Sequence, residues 1–300
     1  MTTNTQETPE LERKAERLLR STAARAYDPD LDIDWDAPLV EDAPFMKLER
    51  SSLYGTELWE RMSREERLTL TRHEAASVAS VGLWFENILI RMLAKIAYEG
   101  DPASQRVQYA LAEIAEECRH STMFAKMIRR MDVPVYGVSP HVHRLGRILP
   151  FLARGEVIWG ATLLGEEITD RLQREIVEDE GVQPLMRMVN RIHIMEEARH
   201  IGFARDELAK EVVKTPRLLR PVRKALLAHI AFIVSRSLIN PEVYRSVGLD
   251  PRQARKIALG NPHYQQTLRW AGEKLVAVFD DAGLIGRPGR HWWKASYLIR

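Results

Sequence analysis

Glu113-Ile114-Ala115-Glu116-Glu117-Cys118-Arg119-His120 and His193-Ile194-Met195-Glu196-Glu197-Ala198-Arg199-His200 share the pattern Glu-Glu-x-Arg-His. Both stretches lie in apolar spacing that predicts helix. Residues three apart in a helix share a face, so Glu117 meets His120 and Glu197 meets His200. A carboxylate and an imidazole from each of two helices is the half-site pattern of four-helix bundles that hold two metal ions.

Such a bundle needs one further carboxylate from each of its other two helices. Glu86-Asn87-Ile88-Leu89-Ile90-Arg91 and Glu166-Glu167-Ile168-Thr169-Asp170-Arg171 supply them, aligning as Glu-x-Ile-x-x-Arg. Glu86 precedes Glu117 by the same interval that separates Glu166 from Glu197. The chain therefore reads as a duplicated helix hairpin, each copy carrying one Glu and one Glu-x-x-His. Helix rise puts Glu86 ~21 Å and Glu117 ~24 Å from the turn near Gly100-Asp101, so the carboxylates meet at one level. Glu166 and Glu197 are similarly placed about Gly181. An isolated Glu-x-x-His is usually a solvated acidic face, but a doubled one with matched partners is not. Four unpaired carboxylates in an apolar bundle would be costly to desolvate. Two trivalent ions with an oxo bridge balance them to formal neutrality, and oxygen and imidazole donors suit iron or manganese.

The surrounding chain is ordinary for a globular protein: 300 residues, 45% hydrophobic, with a net charge of +2. That charge balance gives no footprint for nucleic acid. No uncharged apolar run reaches the ~18 residues of a membrane span, and Met1 to Glu12 lacks the apolar centre of a secretory signal. The single cysteine, Cys118, excludes an internal disulfide framework and fits a reducing, cytoplasmic setting. It lies about 100° round the helix from Glu117, which points it away from the metals and suggests a small core residue.

We expect a single all-α domain over residues 1–300. Residues 1–45 form an N-terminal helix (Leu11 to Ala26) and an extended wrap, residues 57–214 the four-helix core, and residues 215–300 flanking C-terminal helices. Ser63-Arg64-Glu65-Glu66 is a capping box that opens the helix carrying Glu86. Asp101-Pro102 reads as the start of the next helix, which ends near Pro134. Val135 to Pro150, with two prolines and two glycines, reads as the linker between hairpins, and its His141 and His143 as surface residues. The third and fourth helices are expected over Leu152 to Glu178 and Pro184 to Lys214. Beyond them, Pro216 to Leu238 reads as a buried flanking helix with His229 as a core histidine. Tyr264 to Ala282 reads as one amphipathic helix. Trp292, Trp293 and Tyr297 in the tail look exposed and suited to a second subunit.

Departures from related sites narrow the chemistry. A radical-generating reductase subunit typically places a tyrosine four residues beyond the first box histidine; here Phe124 stands there, and Ala204 in the second box. A ferritin-type store would need little beyond the bundle. His193 lies one turn before Glu197 on the same face, and can reach the metal that His200 binds. It makes seven candidate ligands: Glu86, Glu117, His120, Glu166, His193, Glu197 and His200. Asp170, one turn after Glu166, is placed either to support a ligating imidazole or to sit at the surface. Arg119 and Arg199 are expected to pair with carboxylates outside the ligand set.

In these residues the chain resembles the AurF-type p-aminobenzoate N-oxygenases, whose helices carry Glu, Glu-x-x-His, Glu and His-x-x-x-Glu-x-x-His. Glu86, Glu117 with His120, Glu166, and His193 with Glu197 and His200 match all seven places, over roughly Glu57 to Lys214. The resemblance implies a homodimeric, ferritin-like enzyme with two iron ions and dioxygen as co-substrate. It implies oxidation of an arylamine through a peroxo-type di-iron species, with electrons from a separate donor and a small-molecule amine as substrate. Two other classes share the doubled boxes: a hydroxylase or desaturase of a carrier-bound or lipid substrate, and a non-enzymatic, iron-binding ferritin-like protein.

Overall fold

The computed structural model describes residues 9–300; most of the polar lead-in read above as lacking a signal lies outside them. In chain order the helices are α1 (Pro9–Ala24), α2 (Pro29–Asp32), α3 (Glu57–Arg61), α4 (Arg64–Glu99), α5 (Gln105–Arg130), α6 (Pro140–Leu152), α7 (Glu156–Glu178), α8 (Pro184–Lys214), α9 (Arg220–Ser237), α10 (Pro251–Gly260), α11 (Pro262–Ala271), α12 (Glu273–Asp281) and α13 (Arg290–Ala295). No strand occurs among the described residues. The two hairpins α4–α5 and α7–α8 form the four-helix core, with α1, α6 and α9–α13 packed around it.

Local chemistry explains where these helices begin. The capping box forms as expected: Ser63 Oγ accepts from Glu66 N–H, and the Glu66 carboxylate accepts from Ser63 N–H at 2.7 Å. The second helix starts later than the sequence suggests. Asp101 Oδ1 is engaged by Ala103 N–H in a local turn, so Ser104 becomes the cap, accepting from Val107. The Glu12 carboxylate of α1 then accepts from Gln105 N–H at 2.8 Å. The stretch expected to be a linker is largely α6. Pro140 serves at its first turn behind the Ser139 cap, and Gly146 is glycine because a Cβ there would collide with the Trp84 ring. His141 and His143 are on its exposed side.

The C-terminal part also departs from expectation. The helix expected over Tyr264 to Ala282 is two, divided at Gly272. The tail aromatics pack inward rather than out: Trp293 is fully buried, edge-on to Phe279, while Trp292 lies 4.7 Å from the His229 ring and 4.8 Å from Phe232. One apolar cluster joins α5, α7 and α8 to α9 and α11–α13; a second joins the N-terminal wrap to α4, α5 and α8. Among the described residues one helix, α4, is long and apolar enough by composition to cross a membrane, but 61% of its most apolar stretch is buried within the protein. Its apolarity is that of a core helix carrying two buried carboxylates, Glu74 and Glu86.

Glu74 clips the wrap to the bundle. Its carboxyl group bonds Ser52, accepting from the backbone N–H at 3.1 Å, and Ser52 Oγ bonds Tyr244 Oη at 2.8 Å. Burial raises the Glu74 carboxyl from 4.5 to about 7, outweighing the Ser52 and Ser51 hydrogen bonds that lower it. A carboxyl whose folded pKa is raised contributes stability fully below its unfolded value and loses it as pH rises through about 7. Glu74→Gln should therefore flatten the fall in urea midpoint between pH 4.5 and 7. Above that window the variant should exceed the parent by ~1–2 kcal/mol.

Gly165 and Phe85 immediately precede the two upstream carboxylates, and α7 meets α4 there so closely that a Cβ on Gly165 would collide with the Phe85 ring. Gly202 in α8, by contrast, has nothing within 4 Å of a Cβ. Gly165→Ala should cost ~1–3 kcal/mol through overpacking. Gly202→Ala should be neutral or stabilising by up to ~1 kcal/mol through helix propensity. Denaturant midpoints of the pair check this.

Candidate metal centre

All seven residues singled out in the sequence converge inside the bundle, each no more than 2% exposed. One ligand atom each from Glu117, His120, Glu197 and His200 lies within 4.8 Å of the others. Glu86, His120 and His193 form a second such group, and Glu166, His193 and Glu197 a third. The i,i+3 spacing works as expected, with His120 Nδ1 3.0 Å from Glu117 Oε2 and His200 Nδ1 2.9 Å from Glu197 Oε1. His193, read from the sequence as able to reach the metal that His200 binds, groups with Glu86 and His120 and with Glu166 and Glu197. Its Nε2 lies 3.3 Å from Glu86 Oε1 and 3.8 Å from Glu197 Oε1, and its ring centroid is 4.5 Å from that of His120. It faces the middle of the cluster.

The structure adds residues that the sequence reading passed over. His120 Nε2–H donates to Glu196 Oε2 at 2.8 Å, and His200 Nε2–H donates to Glu116 Oε2 at 2.7 Å. Each box thus orients the histidine of the other. A carboxylate can only accept, so Nε2 carries a proton and Nδ1 faces the cluster carboxylates, where a bound metal would take the place of the second proton. Arg199 Nη2 donates to Glu116 Oε1 at 2.6 Å, and Arg119 Nη2 sits 3.7 Å from Glu196 Oε1. The signal was in plain view as the first Glu of each Glu-Glu-x-Arg-His. His193 Nδ1–H donates to Gln173 Oε1 at 2.7 Å, which turns Nε2 toward the cluster.

Asp170 does not support an imidazole: its Oδ2 accepts from Arg174 Nε at 2.8 Å, one turn further along the same helix. Glu167 accepts from Arg205. Cys118 points away from the cluster, but into solvent rather than into the core. Glu113 occupies the place in the first box that His193 holds in the second. It is fully buried with neither oxygen hydrogen-bonded, and burial raises its carboxyl to about 8.

The electrostatics of the cluster suit a cation. Burial pushes the Glu86 and Glu166 carboxyls well above the usual range, and neighbouring carboxylates push them further. Burial acts the same way on Glu117, but the His200 and His120 imidazoles outweigh it and hold that carboxyl well below. His120 is pulled down by burial and raised more strongly by Glu117 and Glu196, to about 9. His193 is lowered well below its ordinary value by burial and by His120. Glu86 Oε2, Glu166 Oε1 and Glu197 Oε2 are buried without a hydrogen-bond partner. Acceptor oxygens in that state are costly unless a positive charge meets them. Nitrogen and oxygen donors without a thiolate fit iron or manganese.

A narrow cavity of about 80 Å³ opens against Glu86, Glu166 and His193. Ala79 and Phe85 of α4, Phe124 of α5 and Leu172 of α7 are among its walls. Phe124, in the position where a radical-bearing tyrosine would stand, has its ring centroid 4.8 Å from His193.

Comparison with known proteins accords with this geometry. The family model described as p-aminobenzoate N-oxygenase AurF matches residues 8–283. Uncharacterized proteins of Mycobacterium tuberculosis and Mycobacterium bovis are each 30% identical over 292 residues, spanning 92% of this chain and 84% of theirs. Among solved structures, an R2-like ligand-binding oxidase mutant with an aerobically reconstituted Mn/Fe cofactor aligns with a TM-score of 0.48 at 14% identity, over 99% of this chain and 94% of that one. The chain belongs to the AurF family and is an oxidoreductase built around a di-metal site.

Proposed function

We propose that the protein is a dioxygen-dependent di-iron N-oxygenase acting on the amino group of a small substrate such as a primary arylamine, with manganese the alternative metal. The observation that carries this reading is the seven-donor cluster whose Glu86, Glu166 and His193 face an apolar cavity. Bound iron would supply dioxygen activation, with electrons delivered by a separate donor protein. The chain's own residues do the rest. Glu86, Glu117, Glu166 and Glu197 would hold the ions through oxygens that otherwise lack partners, and His120, His193 and His200 through ring nitrogens. Glu116, Glu196 and Gln173 fix the imidazole tautomers. His193 adds a neutral donor on the cavity side. The apolar walls exclude bulk water from the reacting nitrogen, which protects a reactive site from side reactions.

The apolar cavity also suits a second reading, hydroxylation or desaturation of an aliphatic chain. A storage role is disfavoured because it would need little beyond the bundle, whereas α9–α13 and the N-terminal segment pack around it. A homodimer, as the family resemblance implies, would cover some of the exposed apolar side chains, among them Tyr98, Phe151, Leu152 and Leu218.

Iron-loaded, chemically reduced protein mixed with 4-substituted anilines and air should yield the hydroxylamine and then nitro products, detected by mass spectrometry. His193→Ala should retain two metals per chain and lose ~100-fold or more of this activity, the scale on which changes around a bound metal act. Oxidation only at carbon would transfer the protein to the second reading. Parent-like amine oxidation by the variant would remove His193 from the site.

A further inference from the structure

We infer that the cavity beside the cluster is a slot for an elongated, uncharged amine, with an apolar tail where p-aminobenzoate carries a carboxylate. This rests on the amine-oxidising reading above and specifies its substrate class. The slot's direction follows from its walls. Its lining runs from Glu86 to Ala75 on α4 and from Glu166 to Ile176 on α7, each a distance of ~15 Å along the helix. Met127 lies beyond His120 on α5 and Met186 before His193 on α8, at the same end of the bundle. The slot therefore leads from the cluster toward the end where α4 begins and α7 finishes. The N-terminal wrap covers that end through Met46.

The far end decides what the tail can be. Lys47 and Arg50 are the only cationic side chains among the lining residues, and both are already committed. Arg50 Nε and Nη2 donate to the two oxygens of Glu175 at 2.7 and 2.8 Å, a bidentate pair. Its guanidinium also lies 3.8 Å from the Trp270 ring centroid. Lys47 Nζ is 3.5 Å from Glu175 Oε1 and 4.0 Å from Asp179 Oδ2. A carboxylate carried into the slot would lose its water and gain no free cation, which is strongly unfavourable. An alkyl or aryl tail meets methionine, valine and alanine walls instead. Flexible Met46, Met127 and Met186 let so narrow a slot widen around a ligand.

Isothermal titration of the metal-loaded full chain, without reductant so that nothing turns over, tests this. At neutral pH 4-butylaniline is uncharged and p-aminobenzoate is an anion. The former should bind at least ~30-fold more tightly. Ala79→Phe, or Ala75→Phe as a second filler, should abolish that binding while metal content stays at the parent level. Glu175→Gln, which releases Arg50, should strengthen p-aminobenzoate binding and leave 4-butylaniline unchanged. The proposal is overturned if p-aminobenzoate binds equally or better, if 4-butylaniline does not bind, or if both filled variants that keep their metal bind it undiminished. Turnover separates this from the reading it rests on. Preferential binding of 4-butylaniline without its N-oxidation removes the oxygenase reading and leaves the slot. Preferential binding and oxidation of p-aminobenzoate does the reverse.

Discussion

Four carboxylates converge in the dry centre of this bundle, and the rest of the structure answers to that constraint. Glu86, Glu117, Glu166 and Glu197 are each at most 2% exposed, where like charges cannot all ionise without positive partners. Three imidazoles meet them, yet several carboxylate oxygens remain without a hydrogen bond. Protons satisfy this arrangement poorly and two cations satisfy it well. Helix packing is subordinate to it: Gly165 lets α7 approach Phe85, and so brings Glu166 level with Glu86.

The duplication supplies more than the ligands. Glu116 and Glu196 cross between hairpins, each holding the histidine of the other copy, and Arg119 and Arg199 sit over both. The two half-sites therefore cannot be oriented independently. An arrangement of this kind resists loss of one hairpin's geometry, because a displaced α8 would also release the tautomer of His120 on α5. His193 breaks the symmetry, with Glu113 as its counterpart on α5. One buried position thus holds a donor nitrogen and the other a carboxyl raised to about 8, which distinguishes the cavity face of the cluster from its opposite face.

Much of this was legible in the chain because helical spacing is local. The i,i+3 pairs at Glu117–His120 and Glu197–His200, the equal offsets to Glu86 and Glu166, and the Ser63 capping box follow from a rise and a period. Contacts between helices were less accessible. The repeat marks Glu116 and Glu196 as a pair, but helical spacing alone does not show that they reach a different helix while Asp170 binds its neighbour Arg174. Gly146 and Pro140 carry breaker chemistry, yet one makes room for Trp84 and the other starts a helix. Asp101 looked like a cap but spends its side chain on a turn. Trp292 and Trp293 read as exposed because their partners, His229, Phe232 and Phe279, lie far away in the chain. The slot was not visible at all, since its walls come from five helices and the N-terminal wrap.

The central claim is that these seven side chains together hold a pair of metal ions. Anomalous X-ray diffraction at the iron edge, from crystals of iron-loaded protein, addresses it most directly. Two peaks per chain are expected, both enclosed by Glu86, Glu117, His120, Glu166, His193, Glu197 and His200, with Glu116 and Glu196 outside bonding distance. A single peak, or peaks outside this cluster, would contradict it.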